Sequence, residues 1–181
     1  MNRRNALGSL AAVGATAIAI APRAMAADVE VDIWVKRWEL SKDYTMKVAD
    51  AMPAEKYTYK PAGETSGDGA RDFGGTMIHL AQAEGFYLGR FGKGPAPTAP
   101  KADAPKAAVM KYLGDSFDWA IGTIKQLTQA DMAKTIAGGK GAPPTGLDLL
   151  LNAMIHTAHT RGYADMYLRN NNIKPPTYNV G

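Results

Sequence analysis

The chain has 181 residues and no cysteine, and its 21 lysines and arginines outnumber its 17 aspartates and glutamates to give a formal net charge of +4. Without cysteine there are no disulfides, thiolate ligands or cysteine nucleophiles, which leaves imidazole and carboxylate as the metal-binding groups. No dense Lys/Arg stripe is visible, so nothing in the charge calls for a nucleic-acid partner.

The first element is an export signal rather than part of a core. Arg3 and Arg4 make a positive start, Gly8 to Ala21 is uncharged and rich in alanine, and Ala24-Met25-Ala26 offers small residues where a signal peptidase cuts. Cleavage after Ala26 is expected, giving a leader over 1–26, a single domain over 27–181 and a periplasmic or secreted protein. The pair in Asn2-Arg3-Arg4-Asn5-Ala6-Leu7 resembles a twin-arginine signal, although Ala6 and Gly8 replace bulkier residues, so Sec export stays open. Pro22 and Arg23 interrupt the run before it reaches spanning length, and no stable membrane span is expected in the mature form. Loss of Arg3, Arg4 and Arg23 leaves the mature chain close to neutral.

Four segments then show helical periodicity, and none shows sustained strand alternation. The first, about Asp28 to Met52, aligns Val31, Trp34, Trp38, Thr45, Val48 and Met52 on one face, and Pro53 stops it. The second, about Asp72 to Phe91, aligns Phe73, Met77, Leu80, Glu84, Tyr87 and Phe91, with His79 at the border of the stripe. Gly92 to Pro105 is a Pro/Ala/Lys linker, a long connection that lets the chain cross the bundle. The third, about Lys106 to Leu127, carries Val109, Tyr112, Leu113, Trp119, Ala120 and Ile124. Gly138 to Gly146 makes the last break, and the fourth helix begins at Thr145 or Gly146. Two stripes run along this helix, one through Leu147, Leu150, Met154 and Ala158, the other through Leu149, Asn152, His156, His159 or Thr160, Tyr163 and Met166. Apolar residues on both sides predict burial against several neighbours. The fold class is all-α, a four-helix bundle.

Only three histidines occur, His79, His156 and His159. The last two are three residues apart in one helix, so both imidazoles can reach a common point beside it. With His79 from a second helix they would supply three nitrogens, a common first shell for zinc or another first-row divalent ion with one position left open. Scattered, structurally satisfied histidines are the competing reading.

The order of these features resembles the DinB-like family. A tryptophan-bearing helix precedes Met52-Pro53-Ala54-Glu55-Lys56-Tyr57-Thr58-Tyr59-Lys60-Pro61 and then Phe73-Gly74-Gly75-Thr76-Met77-Ile78-His79-Leu80-Ala81-Gln82-Ala83-Glu84. The final helix is similar in His156-Thr157-Ala158-His159-Thr160-Arg161-Gly162, followed by Tyr167-Leu168-Arg169 and Pro175-Pro176.

The resemblance implies a four-helix bundle holding a divalent metal, zinc, nickel or similar, on one histidine of the second helix and two of the last. His79 and His156 match directly. The remaining ligand usually falls four residues after the first histidine of the pair, where this chain has Thr160, so His159 would serve from the preceding position. Tyr163 replaces a glutamine of the motif.

The implied activity is that of a metal-dependent hydrolase or transferase on an unidentified small molecule. Arg161 is a candidate for a substrate anion, Tyr163 for proton donation, and Glu84 for a hydrogen bond to a ligand histidine. The alternative is a non-catalytic bundle that binds a ligand or protein and keeps a degenerate metal site. Helix-face pairing would make a homodimer.

Overall fold

A computed structural model describes residues 21–63, 71–137 and 142–178, with side chains from residue 30 onward. The twin arginines and most of the expected leader lie outside the described residues. Helix α1 spans Ala21–Ala51, so it begins upstream of the expected cleavage point. It is followed by α2 (Phe73–Leu88), α3 (Lys106–Ile124), the short α4 (Gln129–Ala133) and α5 (Gly146–Asn170). One-turn 3-10 helices occupy Ala54–Lys56 and Gly89–Phe91. Among the described residues the only β pairing is an isolated bridge between Thr135 and Thr145. The fold is the expected all-α bundle.

Helix α2 packs on α5 and α3, and α1 closes the ring against α3 and α5. The long connection between α2 and α3 makes this order possible by carrying the chain along the bundle without a helix of its own. Trp38, Val48, Ala49 and Met52 of α1, Phe73, Met77 and Leu80 of α2, and Val109, Leu113, Phe117, Ala120 and Ile124 of α3 are all buried, at the three- and four-residue steps of a helix face. Truncating Trp38 or Phe117 to alanine would cost about 3–5 kcal/mol through lost burial and the cavity left behind.

Helix ends are secured locally. The Asp72 side chain accepts from the Gly75 amide, and Thr128 with Asp131 and Thr145 with Asp148 form capping boxes at the starts of α4 and α5. Lys106 Nζ donates to the Asp50 and Met52 carbonyls at the end of α1, where no helical amide is available. Helix α2 ends at Leu88, earlier than its apolar stripe suggests. Gly92 at φ 68° takes the left-handed conformation that closes the following 3-10 turn.

Helix α5 ends in a Schellman turn. Asn172 has φ 59°, its amide donates to the Arg169 carbonyl, and the Ile173 amide donates to the Leu168 carbonyl. This turn sends the C-terminal segment back over the bundle. The Tyr44 hydroxyl of α1 lies 3.3 Å from the Pro176 carbonyl oxygen, and its ring meets Tyr178 edge-on.

The expectation that α5 is buried on both sides is corrected. Its core face is Leu149, Leu150, Ala153, Thr157, Thr160, Arg161, Ala164, Tyr167 and Leu168, while Leu151, Ile155 (63% exposed) and Met166 face outward. Thr157 and Arg161, which the apolar stripes left out, hold core positions beside Thr160, while Met166 of the second stripe is exposed.

Candidate functional site

His79 stands one position before the buried Leu80 and His156 one before the buried Thr157, so each lies at the edge of its helix's core face. Packing of α2 on α5 brings the two edges together. The His79 and His156 rings are 5.0 Å apart between centres with planes at 67°, and Tyr87 of α2 lies 6.0 Å from His156. Both histidines are half-buried. Two imidazoles sharing one divalent ion keep their centres about 4.5–5.5 Å apart, because each nitrogen bonds at about 2.0–2.1 Å. The observed spacing falls inside that window, and it is also that of an edge-to-face contact between the two rings.

The rest of the expected ligand set is arranged differently. Thr160 is 1% exposed, and its hydroxyl lies 3.4 Å from Nδ1 of His156. His159 is solvent-exposed and meets the Tyr163 ring edge-on at 5.1 Å. Among the described residues no group of three or more His, Cys, Asp or Glu side chains stands ready to hold an ion. The seam therefore supplies two imidazoles and a neutral hydroxyl.

Glu84 is turned away from the histidines. It is fully buried, with Oε2 3.1 Å from Ser116 Oγ, while Oε1 and the indole nitrogen of nearby Trp38 lack a partner in hydrogen-bond geometry. Burial pushes its carboxyl up to about 8. Ser116 Oγ also lies 3.0 Å from the Ala81 carbonyl oxygen. A hydroxyl has one proton, and Ala81 can only accept it, so both contacts are hydrogen bonds only when Glu84 carries a proton and donates to Ser116. Glu84 is a neutral link between α2 and α3 beneath Trp38, which replaces the expected role beside a ligand histidine.

Arg161 also points elsewhere. It is 6% exposed and faces α1, where Nη1 donates to Ser41 Oγ and Thr45 Oγ1 at 3.0 Å each. The Tyr44 and Tyr178 rings lie 4.9 and 5.6 Å from its guanidinium carbon. Asp165, one turn along α5, accepts from the Tyr44 hydroxyl, and burial raises its carboxyl above the usual range. Ser41 and Thr45 were legible only as a polar pair one turn apart in an otherwise amphipathic helix, a pattern that does not announce an arginine partner. Tyr87, read as part of the core stripe, packs against the core and is also the aromatic neighbour of His156.

Comparison with known proteins agrees with this architecture. No curated protein matches the chain. The DinB-like protein of Bacillus subtilis is similar in structure with a TM-score of 0.59 at 18% identity, covering 80% of this chain and 96% of its own. A DinB-like protein of Bacillus cereus gives 0.63 at 19% identity, covering 80% and 94%. At such identities the likeness concerns the fold. The sequence profile of the DinB superfamily matches residues 37–164, which include the three histidines and part or all of every bundle helix. The chain belongs to the DinB superfamily.

Proposed function

We propose that this chain is an exported member of the superfamily that binds a divalent metal ion, zinc, nickel or similar, at the α2–α5 seam through His79 and His156. The 5.0 Å spacing of the two rings carries the reading. Thr160 beside Nδ1 of His156 supports it too, because a ligand imidazole held at one nitrogen presents the other, here Nε2, to the ion. His159 would complete a three-imidazole set by leaving Tyr163, the neighbour it has in the folded chain.

A bound ion would act as a Lewis acid and lower the pKa of a coordinated water, the chemistry of a hydrolase or transferase. The chain's own residues do the rest. Tyr87 covers one side of His156 and limits water there, and Tyr163 keeps its hydroxyl available to donate a proton at the rim. A second reading, a non-catalytic bundle with a degenerate site, draws its support from the exposed His159 and from Thr160 in the register of a ligand.

Metal content and zinc affinity of the purified protein decide between presence and absence of the site. Binding that disappears in His79→Ala/His156→Ala and weakens in His159→Ala supports the three-ligand form. Equal, negligible metal in parent and double variant would sink the proposal.

A further inference from the structure

On the side of α5 facing α1 there is a cavity of about 210 Å³. Trp34 and Leu40 of α1 and Met154 of α5 give it apolar walls, and Arg37 and Arg161 both line it. Its α5 wall is the stripe Met154, Ala158, Arg161, at steps of four and three. His156 and Thr160 project from a different stripe, toward α2. The cavity and the histidine seam are therefore two sites on opposite flanks of one helix.

Arg161 is the unusual feature of this cavity. A guanidinium so far removed from solvent normally pairs with a carboxylate. Here Nη1 is held by two hydroxyls, and no acceptor of the described chain takes Nε or Nη2. Asp165 attracts the guanidinium through space, but its Oδ2 is engaged by Tyr44 and it makes no ion pair with Arg161 among the described residues. The guanidinium is held at Nη1 by Ser41 and Thr45, and the Tyr44 and Tyr178 rings pack together on one side of it. Its remaining edge, Nε with Nη2, is the planar two-donor fork that matches a carboxylate in side-on geometry. Ordering this side chain in advance removes much of the entropy cost of binding.

We propose that the cavity between α1, α5 and the C-terminal segment binds a small organic carboxylate with an apolar body. The carboxylate sits on the Nε/Nη2 edge of Arg161, and the apolar body lies against Trp34, Leu40 and Met154. This site does not depend on the metal proposal.

Octanoate is a suitable probe, read by tryptophan fluorescence because Trp34 lines the cavity and Trp38 lies 6.1 Å from it. The expected result is a saturable change that weakens about tenfold or more in Arg161→Gln, the loss expected for a charge-assisted hydrogen bond. Ala158→Leu, at an exposed position of the wall, fills the cavity while keeping a good helix former and should abolish binding. This variant decides the matter if Arg161→Gln fails to fold. Binding should be unchanged in His79→Ala. No saturable change, unaltered binding in Ala158→Leu, loss of binding in His79→Ala, equal binding of octanol, or equal competition by inorganic phosphate would each overturn the assignment.

Discussion

The Thr160 hydroxyl lies 3.4 Å from Nδ1 of His156, one helical turn along the core face of α5. A residue at this position faces the seam, whereas one at 159 faces solvent. Thr160→His should therefore place a third imidazole in the seam and tighten zinc binding about tenfold or more. Competition against a chromogenic chelator measures the change, and no tightening in a folded variant would show that the seam is not a metal site. The buried position makes a stability cost of about 1–3 kcal/mol expected as well.

Glu84 gives a pH signature. Its folded-state value, about 8, lies above the value near 4.5 that it has without burial, so the fold favours the protonated form. The stability linked to this group is fully present below about pH 4.5 and is lost as pH rises toward and through 8. Glu84→Gln keeps the shape and cannot ionise, so its stability relative to the parent should grow between pH 5 and pH 8 by an amount on the order of a few kcal/mol. Denaturant melts at the two pH values test this, and parallel behaviour of the two proteins would refute it.

Gly146 opens α5 with no space for a side chain. A Cβ there would collide with the Asp131 carbonyl oxygen and stand 2.9 Å from the Phe91 ring. Gly146→Ala should cost about 1–3 kcal/mol by forcing α4 and α5 apart, seen as a lower melting temperature. An unchanged melting temperature would contradict this account of the α4–α5 contact.

Export through the twin-arginine route predicts that replacing Arg3 and Arg4 together by lysine leaves the protein in the cytoplasm, as read by cell fractionation. Continued export of the double variant would favour the Sec route, and cytoplasmic residence of the parent would remove the export proposal itself.

Helix periodicity carried most of the fold into the sequence. Trp38, Val48 and Met52, or Phe73, Met77 and Leu80, alternate at helical steps and are buried where those steps place them. Helix α5 was harder to read, because its core face includes Thr157, Thr160 and Arg161 while Ile155 and Met166 stay outside. A buried arginine held by hydroxyls leaves no mark in an apolar pattern, since its partners Ser41 and Thr45 lie on another helix. The pairing of His79 with His156 was legible from helical edges and family resemblance. The outward turn of His159 follows from a 100° step per residue that places Thr160, rather than its neighbour, against the bundle.

The Schellman turn at Asn172 decides what happens at the far end of the chain. By doubling back, it lays Pro176 and Tyr178 over Tyr44, so Tyr178 becomes part of the lining around Arg161. Anything fused to the C-terminus follows Tyr178 by only three residues. An affinity tag intended for ligand work belongs at the start of the mature domain, after the expected leader, because one placed ahead of the leader would leave with it, and a truncation that removes Tyr178 will alter the mouth of the cavity while leaving the histidine seam intact.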